Sequence, residues 1–181
     1  VIARSYPEIT YVRQPDLGLA NARNLGLRQA VGDMVAFLDG DDLWPADKLL
    51  RQAGQIETIP GALYSIGWMR LFTVDGHAPP SRYSPDAFGR GQPGYTPGAL
   101  VARRELFAEI GPFDATLRLA CDSDWFARLL DSALPAANVA EVVLHKRIHD
   151  GNASHQLALY REEMARVMHA SVRRKQSRGS G

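Results

Sequence analysis

The chain has a single cysteine, Cys121, among 181 residues. That count excludes an internal disulfide and any thiolate cluster around a metal, and leaves Cys121 as a small buried residue of a reducing compartment. Net charge is just as scarce. The 21 basic and 20 acidic residues leave +1 at pH 7, so nothing supports a nucleic-acid surface. No apolar run approaches the roughly 20 residues of a membrane-spanning helix, no secretory signal is visible, and no segment repeats. What is left is an ordinary globular composition, 45% hydrophobic, in a chain of single-domain length that can bury roughly 70% of its unfolded surface. One domain over residues 1–178 is expected, with 154–178 a C-terminal helix and basic tail. The closing Gly179-Ser180-Gly181 is set aside as an appended tail.

The densest acid run is Asp39-Gly40-Asp41-Asp42, at the end of Met34-Val35-Ala36-Phe37-Leu38. Five apolar residues running into three carboxylates read as a buried strand that delivers acid groups to the rim of a sheet. In open α/β sheets that rim is where ligands bind. Packed carboxylates repel one another unless a cation or basic side chains compensate them. A hard divalent ion holding phosphate oxygens suits an Asp-x-Asp arrangement. The plain alternative is a polar, glycine-containing turn.

Around this run, strands interleave with helices, which argues an α/β fold. Ile9 to Val12 is a short strand. Leu19 to Ala30 reads as a helix with Leu19, Ala22, Gly26 and Ala30 on one face, small enough to lie close to a sheet. Pro45 suits the first turn of a helix to Glu57 whose buried stripe is Leu49, Ala53 and Ile56. Leu63 to Phe72 is extended, and Asp75 to Gly98, rich in Gly and Pro, is a long functional or mobile loop. A strand follows at 99–102, helices at 104–110 and 122–131, a strand at 139–146 and a helix from Ser154 to about Arg174.

Three blocks surround the acid run in order. They are Gly18-Leu19-Ala20-Asn21-Ala22-Arg23-Asn24-Leu25-Gly26, then Leu38-Asp39-Gly40-Asp41-Asp42, then Trp44-Pro45-Ala46-Asp47-Lys48-Leu49. Together they resemble the signature of nucleotide-sugar glycosyltransferases of the large inverting family 2. The resemblance continues through Gly111-Pro112-Phe113-Asp114, Asp122-Ser123-Asp124-Trp125 with Arg128, and Arg147-Ile148-His149 with Asn152, from about Tyr11 to Ser154. It implies the A-type glycosyltransferase fold, a Rossmann-like mixed sheet flanked by helices. It also implies a βαβ unit ahead of Val1 that grips the nucleotide base. Such a unit needs roughly 30 residues, so the fold reads as N-terminally truncated and the 181 residues alone are expected to bind donor weakly.

The chemistry implied by the resemblance is sugar transfer, with inversion, from a nucleoside diphosphate sugar to the hydroxyl of a glycan, a lipid-linked or another acceptor. A Mn²⁺ or Mg²⁺ ion would stabilise the charge on the departing diphosphate. By motif position Asp41 is the best metal ligand, and Asp39 shares the metal or contacts the donor ribose. Asp42 is the weakest of the three and reads as a first-turn acid of the following helix. Arg23 and Asn24, early in their helix, would meet the donor, the alternatives being a solvated charge and a cap. Asp122 is chosen over Asp124 as the base that takes the acceptor's proton. Asp124 has Arg128 at i+4, whereas Asp122 lacks a local partner and would otherwise be an N-cap. The family usually places Glu where this chain has Cys121. His149 is a further metal candidate, with a structural histidine as the alternative. A non-catalytic nucleotide- or glycan-binding remnant is the other reading of the whole chain. Arg173-Arg174-Lys175 and Arg178 could touch an anionic membrane or simply stabilise a helix end. A cytoplasmic location, at most peripheral to a membrane, follows from these readings.

Overall fold

A computed structural model describes residues 5–14, 18–74, 83–149 and 156–179. Two three-stranded sheets carry the α/β fold. In the first, β1 (Met34–Ala36) and β2 (Tyr64–Ile66) both pair antiparallel with β5 (Leu100–Arg103), which lies between them. In the second, β3 (Trp68–Thr73) lies between β4 (Gln92–Pro93) and a parallel β6 (Val142–Ile148). The stretch expected to be one extended segment is therefore two strands, broken at Gly67 where the chain changes sheet. A Cβ at Gly67 would collide with the Val143 side chain, so the backbone can switch there only because no side chain intervenes.

The core centres on Trp125, fully buried, on α5 (Cys121–Ser132). Its ring stacks on Phe107 at 5.1 Å and on Phe113 at 5.4 Å, and Phe37 meets both phenylalanines edge-on. Offset and edge-on contacts of this kind add about 0.5–1.5 kcal/mol per pair beyond burial. The indole N–H donates to Gly111 O at 3.0 Å, just past α4 (Arg104–Ile110). Cys121 is buried in the same cluster, and burial pushes its thiol up to about 12.

Several expectations are corrected. Residues 9–12 carry no strand, four residues being too short a pattern to fix one without a ladder. The helix α1 (Leu19–Gln29) buries Ala20 and Arg23, not its small face; Ala22, Gly26 and Ala30 border a cleft of about 450 Å³ shared with Thr10, Val12 and Gln14. Burial follows the face whose polar group finds partners, rather than the face with the smallest side chains. For the same reason α2 (Lys48–Thr58) buries Lys48, Gln52 and Ile56 while Leu49 is exposed. Lys48 Nζ donates to Gln52 Oε1 and to Leu100 O at 3.5 Å. Gln52 Nε2 donates to Ser65 O at 2.9 Å and Ala99 O at 3.0 Å. Backbone carbonyls that pairing leaves open are satisfied this way. The expected loop to Gly98 carries α3 (Pro85–Phe88), β4 and a 3-10 turn at Pro97–Ala99; its residues 75–82 lie outside the described residues.

The last helix, α6 (Leu157–Gly179), is tied to α5 at both ends. Glu163, almost fully buried, accepts the backbone N–H groups of Arg118, Leu119 and Ala120, each at 2.8 Å, and so caps the start of α5. At the other end Asp131 accepts Arg174 Nε at 2.8 Å and Ser171 Oγ at 2.9 Å, with Lys175 Nζ at 3.5 Å, and Arg178 donates to its backbone carbonyl. The basic tail thus has an internal partner for Arg174, Lys175 and Arg178, the role the membrane alternative assigned to lipid. No helix among the described residues is long and apolar enough to cross a membrane.

Candidate functional site

The acidic run leaves β1 as a tight turn, closed by Asp42 N–H to Asp39 O at 3.1 Å. It is then fastened to β6. Leu43 and His145 exchange backbone hydrogen bonds at 3.0 and 2.8 Å. Arg147 N–H donates to Asp42 Oδ1 at 2.9 Å, and Arg147 Nε donates to Asp41 O at 2.8 Å. The Asp42 side chain is almost completely buried, with Lys146 Nζ 3.4 Å away; burial pushes its carboxyl up. Asp42 is therefore a pin between turn and strand, not the first-turn acid of α2, which starts only at Lys48. Charges in this arrangement are held by partners rather than by water.

With Asp42 turned inward, Asp39 and Asp41 point to different neighbours. Asp41 Oδ2 lies 3.0 Å from His149 Nε2, and this bond is the main cause holding its carboxyl below the usual range. Both side chains are more than a third exposed. Asp39 turns away, with Oδ1 3.3 Å from Arg23 Nη1 and Oδ2 3.9 Å from Lys146 Nζ. The structure thus brings His149 to Asp41 across 108 residues, and leaves Asp39 outside that pair.

Among the described residues no group of three His, Cys, Asp or Glu side chains is close enough to hold a metal ion. The pair offers one carboxylate and one imidazole, both of them donor types that divalent ions can take. Mg²⁺-type ions are commonly held by one or two carboxylates plus phosphate oxygens, not by an all-protein cage.

The third element of the site is the start of α5. Asp122 accepts Arg23 Nε at Oδ1 and Arg23 Nη2 at Oδ2, both at 2.9 Å. It does have a partner, 99 residues away rather than at i+4. The N-cap of α5 is Ala120, so the capping alternative for Asp122 falls. Burial pushes its carboxyl up, with Arg23 pulling the other way. Arg23, only 5% exposed, is no solvated charge. Asn24 grips Phe113 by both backbone groups, donating to its O at 2.8 Å and accepting its N–H at 2.9 Å. Both groups of the Asn24 amide are thus engaged with the turn after α4. Asp124 accepts Arg128 Nε at 2.9 Å, and Arg128 also donates to Ile110 O and Pro112 O. Asn152 and Ser154 lie outside the described residues.

Sequence reasoning missed Lys146, Lys48 and Glu163. For Lys146 a signal existed: His145-Lys146-Arg147 places cations at the end of a strand in a chain with three acids packed in one turn. Lys48 stands in the third motif block, which marked the residue but not its burial, and for Glu163 no local signal separates a buried polar side chain from a surface one.

The family model described as "Glycosyl transferase family 2" matches residues 1–111, and the chain belongs to that family. The succinoglycan biosynthesis protein ExoW of Rhizobium meliloti is 54% identical over 44 residues, 23% of this chain and 14% of ExoW. The uncharacterized glycosyltransferase MT1564 of Mycobacterium tuberculosis is 28% identical over 120 residues, 64% of this chain and 45% of that protein. The crystal structure of S. aureus TarS in complex with UDP-GlcNAc superposes with a TM-score of 0.61 at 18% identity, covering 86% of this chain and 47% of the TarS chain. That likeness shows the fold. The chain spans less than half the length of each of these proteins.

Proposed function

We propose that this chain belongs to an inverting glycosyltransferase that moves a sugar from a nucleoside diphosphate donor to an acceptor hydroxyl. The observation that carries the reading is the convergence of Asp122, Arg23, Asp39 and the Asp41–His149 pair from α5, α1, the turn after β1 and the end of β6. TarS, of like fold, is described in complex with UDP and with UDP-GlcNAc, which supports a nucleotide-sugar donor here.

In this mechanism Asp122 accepts the proton of the acceptor hydroxyl as its oxygen bonds to the anomeric carbon. The bond from that carbon to the diphosphate breaks on the opposite face, and its electron pair leaves with the diphosphate. Asp41 and His149 would hold Mn²⁺ or Mg²⁺ against the diphosphate oxygens, and Asp39 would hold the donor ribose. The ion supplies a Lewis acid for the developing charge. Lys146 limits the repulsion among the carboxylates, and Asp42 fixes the turn.

Thermal shift with nucleoside diphosphates, with and without Mn²⁺, tests the reading. A ligand at a hundredfold excess over its Kd stabilises by about 2.7 kcal/mol, so the melting temperature should rise by several degrees only when nucleotide and ion are both present. The same rise in Asp41→Asn, or a rise that does not depend on the ion, would refute it.

A further inference from the structure

We infer that Arg23 is the positioning residue that couples the two halves of the site, one guanidinium holding the base Asp122 in a two-bond clamp and the donor-side Asp39 by a third bond. The inference rests on the reading of Asp122 as the acceptor-side base.

Three things make Arg23 more than a counter-ion. First, its donors are divided. Nε and Nη2 take the two oxygens of Asp122 at 2.9 Å, and Nη1 reaches Asp39 at 3.3 Å. A planar fork with five N–H groups can hold one carboxylate by two bonds and a second on another edge at once. Second, the fork cannot swing freely. Its carbon lies 5.5 Å from the Phe37 ring and 5.9 Å from the Phe113 ring, which themselves meet edge-on at 5.8 Å. The next residue, Asn24, holds the Phe113 backbone by both its groups. Third, the side chain is buried while its two partners are 22% and 30% exposed, so both acids face outward from a common, fixed cation.

The consequence is electrostatic as well as geometric. A buried carboxylate near a second one tends to take up a proton and would then be useless as a base. The groups facing Asp122 are Arg23 from α1, Asp39 from the turn after β1, Lys146 from β6 and Cys121 on its own helix. Burial and Asp39 push its carboxyl up, while Arg23 and Lys146 pull it down. Arg23 alone among them makes hydrogen bonds to both oxygens, so it is the group that keeps Asp122 ionised and aimed.

The test is a titration of the Asp122 carboxyl by carbon-13 NMR, assigned with Asp122→Asn, in the chain and in its Arg23→Met, Arg23→Lys and Asp39→Asn variants. Arg23→Met should raise the Asp122 midpoint by about one pH unit or more, a tenfold gain in proton affinity. Arg23→Lys keeps one charge without the fork and should raise it by less. Asp39→Asn removes a like charge and should lower it. Opposite signs for the two partners are not what general loosening of the fold produces. If Arg23→Met does not fold, Arg23→Lys decides: a midpoint at or below the parent's overturns the clamp. No turnover is measured, so absence of sugar transfer would count against the proposed function alone, and an unmoved midpoint would overturn the clamp even in an active protein.

Discussion

Lys48 offers the sharpest check on the energetics. It is 1% exposed, its ammonium lies 4.9 Å over the Trp44 ring, and its hydrogen-bond partners, Gln52 Oε1 and Leu100 O, are neutral. Burial alone pushes it down from 10.5 to about 7. Below pH 7 the lysine is charged in both the folded and the unfolded chain, and the folded chain bears the full cost of burying it. Between pH 7 and the ordinary lysine value the unfolded chain binds the extra proton. Stability there rises with pH, by about 1.4 kcal/mol per unit at most, with a ceiling of roughly 5 kcal/mol over the span. Lys48→Met keeps the unbranched stem and removes the titration, while leaving Gln52 Oε1 without its donor at a cost of about 1–3 kcal/mol. The variant should therefore match or exceed the parent's stability at pH 6 and fall below it at pH 10. Urea unfolding of both proteins at pH 6, 8 and 10 reads the difference, and the other titrating groups cancel between them. A difference that stays flat across that range would refute the account of a buried lysine without a charged partner.

Three further outcomes follow from the site and its supports. Asp41→Asn should abolish the Mn²⁺-dependent part of nucleoside diphosphate binding, read by calorimetry, with an unchanged circular dichroism spectrum. Glu163→Gln should lose about 2–3 kcal/mol in urea, because a neutral amide oxygen replaces a carboxylate that takes three backbone donors. Hydrogen bonds from Arg118, Leu119 and Ala120 hold Glu163 below the ordinary glutamate range against burial. Its contribution is therefore full above the ordinary value of about 4.3 and is lost as pH falls through the lower folded value, so the gap between parent and variant should narrow in acid. Asp122→Asn should lower turnover by roughly 10²-fold or more while sparing nucleotide binding. Asp124→Asn should keep most turnover and cost about 1–3 kcal/mol of stability, since its pair with Arg128 is largely buried and not the exposed one that the i+4 spacing alone implies.

What was legible in the sequence was whatever depends on neighbours along the chain. The helices α4 and α5 start and end within a residue of expectation, because their apolar periodicity and the Gly111 stop are local. The acid run sits at the end of a strand as read, although β1 stops at Ala36 and not Leu38. What was not legible is which face of a helix is buried when the deciding residues are polar. In α1 and α2 the apolar pattern named Ala22 and Leu49, and the protein buries Arg23 and Lys48 instead. The partners that make this tolerable, Asp122 for Arg23 and Gln52 with Leu100 O for Lys48, are supplied by folding. No window of sequence contains both members of the first pair.

Asp122 and Asp124 both have arginine partners, but of different kinds. The local argument held that Asp124 is explained by Arg128 and that Asp122, having no partner nearby, is free for chemistry. Asp124 is indeed explained, and more fully than by one ion pair, since Arg128 also carries the carbonyls of Ile110 and Pro112 and so closes the turn after α4. Asp122 is not free, yet its partner strengthens its case. An exposed aspartate without a partner would be an ordinary solvated acid. A half-buried aspartate held by both oxygens on a fixed guanidinium, shared with the acid turn across the site, is held in one geometry before any substrate arrives, and catalysis by proton transfer depends on that geometry. The same contact that removes the local argument supplies the physical one.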